Sequence, residues 1–388
     1  MRVGIVSPMF PPLRSGSSHY AYRLAEGLTA RGHDVFVISS SNGRRYPTGS
    51  FSIMRIPSLM LPPTPLTHNY SLPFGFFPLN YPLLKSVLSK QKPDLIHVNG
   101  HFLDLSLLSM KAASSLNIPS VLTIHTRLAH ANQMLNPLFR AFDRSMISQL
   151  LSSTASIIAL DRQMYRYIKS SYHTSDEKIT TIPLGIDIEK LHKSKAGVRF
   201  PRYLEKHRVI ASLTHITALK TPKTLLYAFS EVKKSVDNLK LLLIGSVNDP
   251  RVHEWIEELK LDDDVILMGA VDHDMIPSLL RSCVLEAHSL DFRTGLDNAA
   301  IEAMALGLPV ISCVREDNFM KPWLRNWDNV VLVKPKSIEM TVDAMGRILG
   351  DERARERIGA NAAESAQTHF SLRRMLDDIE ELYYHVLS

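Results

Sequence analysis

The hydrophobic positions of this chain form short apolar runs separated by longer amphipathic segments. In the first half the runs are VGIV, VFVIS, LIHV, VLTI and SIIAL, and in the second half they are VIASL, LLLIG, VILMG and VLEA. Runs of this length, rich in branched aliphatic residues, predict buried β-strands. Because the segments between the runs read as helices, the alternation predicts two open parallel sheets covered by helices.

The segment from residue 288 to residue 312 combines a loop, a short helix and a buried strand. Asp297 and Asn298 are good N-cap residues, and the following AAIEAMAL is strong helix-forming sequence. The free amides at such a helix start favour a phosphate, and Gly295 lets the backbone approach a ligand. Glu302 is placed to accept hydrogen bonds from sugar hydroxyls, although a capped helix packed on a sheet would show the same pattern.

Composition and charge narrow the class of protein. The chain has 388 residues, 45% hydrophobic and 22% charged, which fits a globular protein of two domains. Residues 1–185 contain 18 Lys and Arg against 8 Asp and Glu, whereas the remainder is mildly acidic. A basic first half predicts an anionic partner. Its scattered cations favour an anionic membrane surface or a phosphorylated acceptor over nucleic acid.

Cysteine usage and the N-terminus bear on location. Cys283 and Cys313 each lie beside a predicted buried strand, so we expect two buried thiols rather than a disulfide. Their spacing does not suit a metal site. The opening MRVGIVSPMF is too short in its apolar run for a signal peptide and reads as a first strand. Together these features predict a cytoplasmic location.

An uncharged segment interrupts the first half. From Ile56 to Leu84 there is no Asp, Glu, Lys or Arg, and seven prolines exclude a transmembrane helix. We expect a covered or partly exposed loop with local strand structure. Two interpretations remain, a packing loop and a surface that binds an acceptor or touches a membrane.

The segment around Glu302 resembles the signature of the family-four retaining glycosyltransferases. That signature has two glutamates eight positions apart, then Ala-Met-Ala, a glycine and Pro-Val-Ile. This chain matches it except at the first glutamate, where Thr294 stands. The resemblance implies that Glu302 holds the nucleotide ribose and that Thr294 lies at the donor sugar. It also implies that the donor diphosphate binds the amides of Gly295, Leu296, Asp297 and Asn298.

The start of the second half resembles the same family. After the first strand, the family has Gly-Arg-Leu, three residues and a lysine, and this chain has Thr-His-Ile with His215 in the middle and Lys220 at the lysine position. The resemblance implies that His215 and Lys220 contact the diphosphate. It also implies that the turn holding Gly269 and Val271 binds the nucleotide base.

The first half resembles the family at its strand ends. Gly16 lies in the loop after the first strand. The resemblance implies that Gly16 contacts the donor diphosphate. VLTIHT resembles the strand whose terminal histidine, here His125, contacts the donor sugar and helps to place the acceptor. His101 and then His97 follow as acceptor-side candidates. Catalytic roles are thereby assigned to His125 and Lys220.

The resemblance implies the GT-B fold, an α/β architecture of two Rossmann-like domains facing each other across a cleft. The expected domains are residues 1–185 for the acceptor, 186–365 for the nucleotide sugar, and 366–388 for a helix that crosses back. The implied reaction moves a sugar, with retained configuration, from a nucleoside diphosphate donor to a polysaccharide or lipid-linked acceptor. The expected donor is a UDP-sugar, with no further cofactor and no metal. Peripheral association with the inner face of an anionic membrane is also expected.

Three alternatives are compatible with the same sequence. The uncharged Thr294 and the titratable His215 would suit a nucleotide-binding partner subunit with little activity of its own. A sugar-nucleotide epimerase has similar architecture and would act without an acceptor. A nucleic-acid binder would use the basic first half, and its affinity would fall steeply with salt.

Overall fold

The computed structural model forms two units, residues 1–185 together with 372–388, and residues 186–371. It describes residues 1–13, 15–41, 50–62, 64, 71–75, 79–101, 103–127, 134, 136–194, 204–218, 220–292 and 295–388. Within those ranges no helix combines the length and the apolar character needed to cross a membrane.

The first unit is built on a parallel sheet. Its strands are β1 (Arg2–Val6), β2 (Asp34–Ser40), β3 (Ser52–Ile56), β4 (Leu59–Leu61), β5 (Leu72–Phe74), β6 (Leu95–Asn99), β7 (Ser120–Ile124), β8 (Ser156–Ala159) and β9 (Ile179–Thr181). Seven of them pair in the order β3-β2-β1-β6-β7-β8-β9, while β4 and β5 form a separate antiparallel pair. The strand order reverses between β1 and β6, and such a switch point is where open α/β sheets bind ligands.

Helices cover this sheet because the strands are apolar on both faces. They are α1 (Gly16–Ala30), α2 (Asn80–Gln91), α3 (Asp104–Ser115), α4 (Asn136–Ser153) and α5 (Arg162–Tyr172). Ser15 starts α1 as an N-cap, accepting a hydrogen bond from the Ser18 amide at 3.0 Å. Asp161 caps α5 in the same way.

The second unit repeats this architecture. Its elements are α6 (Ile188–Lys193), β10 (Arg208–Leu213), α7 (Lys223–Lys233), β11 (Leu239–Ile244), α8 (Arg251–Glu258), β12 (Val265–Gly269), α9 (Ile276–Leu280), β13 (Leu285–Ala287), α10 (Asn298–Ala305), β14 (Val310–Ser312), β15 (Val331–Leu332), α11 (Ile338–Gly350) and α12 (Glu352–His369). The parallel sheet has the order β12-β11-β10-β13-β14-β15, with its switch point between β10 and β13. The prediction of an α/β fold with two parallel sheets is confirmed.

The last helix, α13 (Leu372–Leu387), belongs to the first unit. Its apolar face, which includes Met375, Leu376 and Tyr383, joins the core beside α1. Glu380 pairs with Arg31 and also lies 2.6 Å from His33 Nε2. The sequence placed the boundary of this segment at residue 366, but α12 continues to His369, so the second unit ends at residue 371.

The uncharged segment contains local strand structure, as predicted. β4 and β5 pair antiparallel within it, and α2 begins within it, with Pro82 in the first turn where proline is tolerated. Several of its large apolar side chains are exposed, namely Leu59, Phe74, Leu79 and Leu83. We call these four residues the apolar surface of the first unit.

Candidate active site

Two loops meet at the switch point of the second unit. The loop after β10 carries His215 and Lys220, and the loop after β13 runs from His288 to the start of α10. Parallel strands end at one edge of the sheet, which brings these loops together although they are about 70 residues apart in the chain.

A row of alternating charges joins the two loops. Lys220 Nζ lies 3.3 Å from Asp297 Oδ2, and His288 Nε2 lies 3.0 Å from Asp297 Oδ1. On its other side His288 Nδ1 lies 2.6 Å from an oxygen of Glu286, which is completely buried in β13. Lys220 and Asp297 were assigned to the donor site from the sequence, and the structure brings them into contact. His288 and Glu286 were not foreseen.

The two carboxylates keep the His288 ring protonated. Burial alone would lower its pKa, but the negative charges of Asp297 and Glu286 outweigh burial and raise the pKa of His288 to about 10. Burial would raise the pKa of Asp297, yet the charges of His288 and Lys220 hold that pKa well below its usual range. The Lys220 side chain, which completes this row of charges, is 40% exposed, so an added anion can reach its ammonium.

His215 presents one defined hydrogen-bond donor. The Ser246 amide donates to its Nδ1 at 3.1 Å, so Nδ1 must be unprotonated and the proton of the neutral ring must be on Nε2. Burial, and secondarily the charge of Lys220, lowers the pKa of His215, which keeps the ring neutral. Gly245 makes this contact possible, because a Cβ there would lie 2.1 Å from the Thr214 carbonyl oxygen. The neutral ring of His215 can therefore donate a hydrogen bond from Nε2–H to a ligand, but it brings no positive charge to the site.

The start of α10 supplies backbone donors at the same place. Asp297 is its N-cap, accepting from the Ala300 amide at 3.2 Å, and Asn298 is the first helical residue. Gly295 is partly exposed and Leu296 is buried just before the cap. The positive end of the helix dipole thus faces the region of Lys220. Thr294 lies outside the described residues.

Glu302 lies on α10 facing the turn after β12. It is buried, and its Oε1 lies 2.9 Å from His273 Nε2. Gly269 ends β12 with φ +71°, a conformation that favours glycine, and its carbonyl accepts from the Gly245 amide at 2.9 Å. Val271 follows, packed against a small apolar cluster. His273, which sequence reasoning missed, links this turn to Glu302.

In the first unit the switch point holds a hydrogen-bond network around His125. Asn99, at the end of β6, donates from Nδ2 to Ser7 Oγ and to the Ser17 carbonyl, each at 3.0 Å. Its Oδ1 must therefore accept from His125 Nε2, 2.5 Å away. The same network holds the start of α1, with the exposed Gly16, beside His125.

The network leaves His125 as a neutral hydrogen-bond acceptor. Its proton is on Nε2, so Nδ1 carries a lone pair. Burial, and secondarily the neighbouring His101, lowers the pKa of His125 to about 3. His125 is partly exposed just beyond the end of β7. Its Nδ1 can therefore accept a hydrogen bond from a group such as a sugar hydroxyl. The ring does not act as a cation near neutral pH.

The two acceptor-side histidines are buried. His97 contacts the Tyr383 hydroxyl at 2.5 Å and the Thr123 hydroxyl at 2.7 Å, and burial lowers its pKa to about 3. His101 lies 3.2 Å from Asp143 in a pocket closed by tyrosine hydroxyls. Neither side chain has surface to present to an acceptor. We assign His97 to the anchoring of α13 and His101 to the core beneath α4.

Two α/β units, each with polar side chains at the switch point of a parallel sheet, define a protein of the GT-B class. Two family models match the chain, Glycosyltransferase Family 4 over residues 14–190 and Glycosyl transferases group 1 over residues 199–365. The chain belongs to the family-four GT-B glycosyltransferases.

Known proteins of similar sequence or structure agree with this class. An alpha-monoglucosyldiacylglycerol synthase from Acholeplasma laidlawii is 25% identical over 357 residues, covering 85% of this chain and 84% of that relative. The structure of a sucrose-phosphate synthase from Thermosynechococcus elongatus has a TM-score of 0.79 at 20% identity, covering 99% and 98% of the two chains. HepE from Anabaena, in complex with UDP-glucose, has a TM-score of 0.76 at 16% identity, covering 99% and 100%.

Proposed function

We propose that this glycosyltransferase transfers a sugar from a UDP-sugar to a lipid-linked or polysaccharide acceptor, with retained anomeric configuration and without a metal ion. The observation that carries the proposal is the convergence of Lys220, His215 Nε2–H and the start of α10 at one switch point, with Glu302 nearby. These groups match a diphosphate followed by a ribose. Among relatives, HepE holds UDP-glucose and the Acholeplasma protein is named for a glucosyl lipid.

Catalysis in this proposal is mainly electrostatic. As the bond between the anomeric carbon and the diphosphate oxygen breaks, negative charge grows on the departing diphosphate. Lys220, the N–H of His215 and the first amides of α10 stabilise that charge. The acceptor oxygen bonds to the anomeric carbon on the same face, and its proton passes to an oxygen of the departing diphosphate. No covalent sugar–enzyme intermediate is involved.

His125 has a positioning role in this scheme. Its unprotonated Nδ1 accepts a hydrogen bond from a sugar hydroxyl, while Asn99 fixes the ring through Nε2–H.

The donor assignment is tested by calorimetry and product analysis. We expect UDP to bind the purified protein more tightly than GDP or ADP, and Glu302→Gln to weaken UDP binding about tenfold, since a hydrogen bond to a charged group contributes about 1.5–3 kcal/mol. Glu258→Gln, an exposed change on α8, is the control and should leave the affinity unchanged. For metal independence, we expect turnover to continue with EDTA present. For retained configuration, we expect an α-linked donor to give an α-linked product, which the anomeric coupling in the NMR spectrum identifies. Unchanged UDP affinity in Glu302→Gln would show that the ribose is bound elsewhere.

The role of His125 predicts a specific pH effect. In Asn99→Asp a carboxylate faces His125 Nε2–H and raises the pKa of His125 into the physiological range. We expect the profile of kcat/KM against pH to gain an inflection between about pH 5 and pH 8, which the native enzyme lacks at this residue. Asn117→Asp, on an exposed turn of the same unit, should keep the native profile. An Asn99→Asp profile of native shape, in a protein with native circular dichroism, would remove His125 from the site.

The acceptor assignment rests on the first unit. Residues 1–185 are strongly basic, and the apolar surface exposes Leu79 at 75% and Leu59 at 52%. A net positive charge together with exposed apolar side chains is the combination that holds a protein at an anionic lipid surface. We therefore propose peripheral association with the inner face of a membrane.

Vesicle binding measures this association. Leu79→Glu should reduce sedimentation with vesicles of phosphatidylglycerol and phosphatidylcholine about tenfold, because partial burial of one leucine contributes roughly 1.4 kcal/mol. Binding should also weaken with added salt. Met320→Glu places the same change on an exposed residue of the second unit and should bind as the native protein does. Equal binding by both variants would argue against this surface.

A further inference from the structure

A cavity of about 480 Å³ lies in the second unit, apart from the residues assigned to the donor. It opens where α7, α8 and α11 begin, on the sheet face that these helices cover. Its walls include three cationic side chains, Lys223, Arg251 and Lys336, and three aromatic ones, Tyr227, Trp255 and Phe292.

The two lysines of this cavity have no carboxylate partner. Within the part of the chain that the structure describes, neither ammonium lies within 4.0 Å of a carboxylate. Lys223 Nζ instead lies 5.7 Å from the ring centres of both Tyr227 and Trp255, and Lys336 Nζ lies 5.4 Å from that of Phe292. Such cations in a concave site raise the local concentration of anions.

Three carboxylates lie at or beside the cavity: Asp291 in its lining, Asp249 behind Arg251, and Glu258, which accepts from the Tyr227 hydroxyl at 2.9 Å. Asp249 holds Arg251 by paired hydrogen bonds, the shortest at 2.6 Å. Asp291 accepts from the Thr224 amide at 3.2 Å and from its hydroxyl at 2.8 Å. The positive ends of α7 and α11 add to the field of the two lysines. An entering anion therefore meets two ammonium groups that are not paired with a carboxylate, and the positive charges of the lining outnumber the single carboxylate of Asp291.

Size and lining indicate an organic anion. The volume lies in the range of about 300–1,000 Å³ that is usual for small-molecule pockets, and it is larger than inorganic phosphate requires. The lining is mixed, with apolar side chains such as Ala218 and Ile338 beside the lysines, so it suits a carbon skeleton that carries a phosphate group. We propose that this cavity binds a phosphorylated sugar as an effector, separate from the donor.

The cavity shares a turn with the donor site. Thr217 and Lys220 exchange backbone hydrogen bonds at 3.1 and 3.3 Å. Lys220 points from this turn to Asp297, whereas Ala218 and Thr221 line the cavity. An occupant would restrict the turn that carries Lys220 and so change donor affinity, a coupling that rests on the proposed function. Binding of the phosphorylated sugar in the cavity does not rest on the proposed function.

Tryptophan fluorescence can report binding, because all three tryptophans lie in the second unit and Trp255 lines the cavity. The probe is glucose 6-phosphate, compared with glucose and with inorganic phosphate. We expect saturable binding at least tenfold tighter for glucose 6-phosphate than for either control. The double variant Lys223→Gln/Lys336→Gln should weaken it at least tenfold, and Lys334→Gln, exposed two residues from Lys336, should not.

Several results would overturn the proposal. They are the absence of saturable binding, equal affinity for inorganic phosphate, native affinity in the double variant, and strictly exclusive binding of glucose 6-phosphate and UDP, which would place the probe in the donor site. UDP titration of the double variant separates this proposal from the donor assignment, because UDP binding should persist there when the cavity is disabled. Binding of glucose 6-phosphate by a protein without transferase activity would support the cavity alone.

Discussion

Replacing Lys220 by methionine is expected to lower kcat for sugar transfer by about 10²–10³-fold, the usual effect of removing one group that stabilises developing charge. Methionine keeps the length and apolar stem of the side chain but removes the ammonium that lies 3.3 Å from Asp297. Because the charge on the diphosphate grows as the sugar departs, kcat should fall more than KM rises. Steady-state kinetics with a UDP-sugar, together with UDP calorimetry, measure both effects.

Lys206→Met is a suitable control, because Lys206 is exposed in the same unit and is not part of the site. It should retain native kcat and KM. A native kcat in Lys220→Met would mean that the departing charge is stabilised without this lysine, and the catalytic assignment would then be wrong.

Replacing His288 by glutamine is expected to destabilise the second unit by about 3–5 kcal/mol. The imidazolium lies between Glu286 and Asp297, and removing one member of a buried ionic group leaves its partners uncompensated. Glutamine keeps one hydrogen-bond donor but carries no charge. Tryptophan fluorescence during urea unfolding reports this unit specifically, since all three tryptophans are in it.

The same residue predicts how stability depends on pH. The pKa of His288 is about 10 in the folded protein and about 6.5 in an unfolded chain, so its stabilisation is complete below about pH 6.5 and is lost as pH rises towards 10. Asp297, with a lowered pKa, contributes stability that is lost only on acidification below about pH 4. The free energy of unfolding should therefore decline from pH 6.5 to pH 10 in the native protein and decline less in His288→Gln.

His253→Gln, an exposed change on α8, should follow the native curve. Parallel pH curves for the native protein and His288→Gln would mean that His288 is not the titrating group, whatever the size of the stability difference.

Sequence could predict most of the fold because its signals are local. Strands such as VILMG and LLLIG are apolar throughout, which occurs mainly in sheets covered on both faces. The family resemblance is weakest between residues 44 and 92, and in this stretch β3 lies at the sheet edge and α2 has a proline in its first turn. Edge strands and proline-containing helix starts lack the periodic pattern on which such predictions depend.

The site was less predictable, because its contacts join distant residues. His125 follows an apolar strand, whereas His97 lies in the middle of one, where it meets Tyr383 from the far end of the chain and is buried. The sequence shows Asn99 at the end of an apolar run. Its hydrogen bond to His125 forms only because β6 and β7 are neighbours in the sheet, which the sequence does not show. Glu286 did carry a signal, since a carboxylate within an apolar strand requires a charged partner, here His288.

The membership of α13 in the first unit has a consequence for biosynthesis. On the ribosome, residues 1–185 emerge early but lack the segment that covers α1 and His97 until residues 372–388 have been made. The second unit, made later, has all its residues by position 371. The first unit therefore passes through translation with an open apolar face, and exposed apolar surface of this kind favours aggregation.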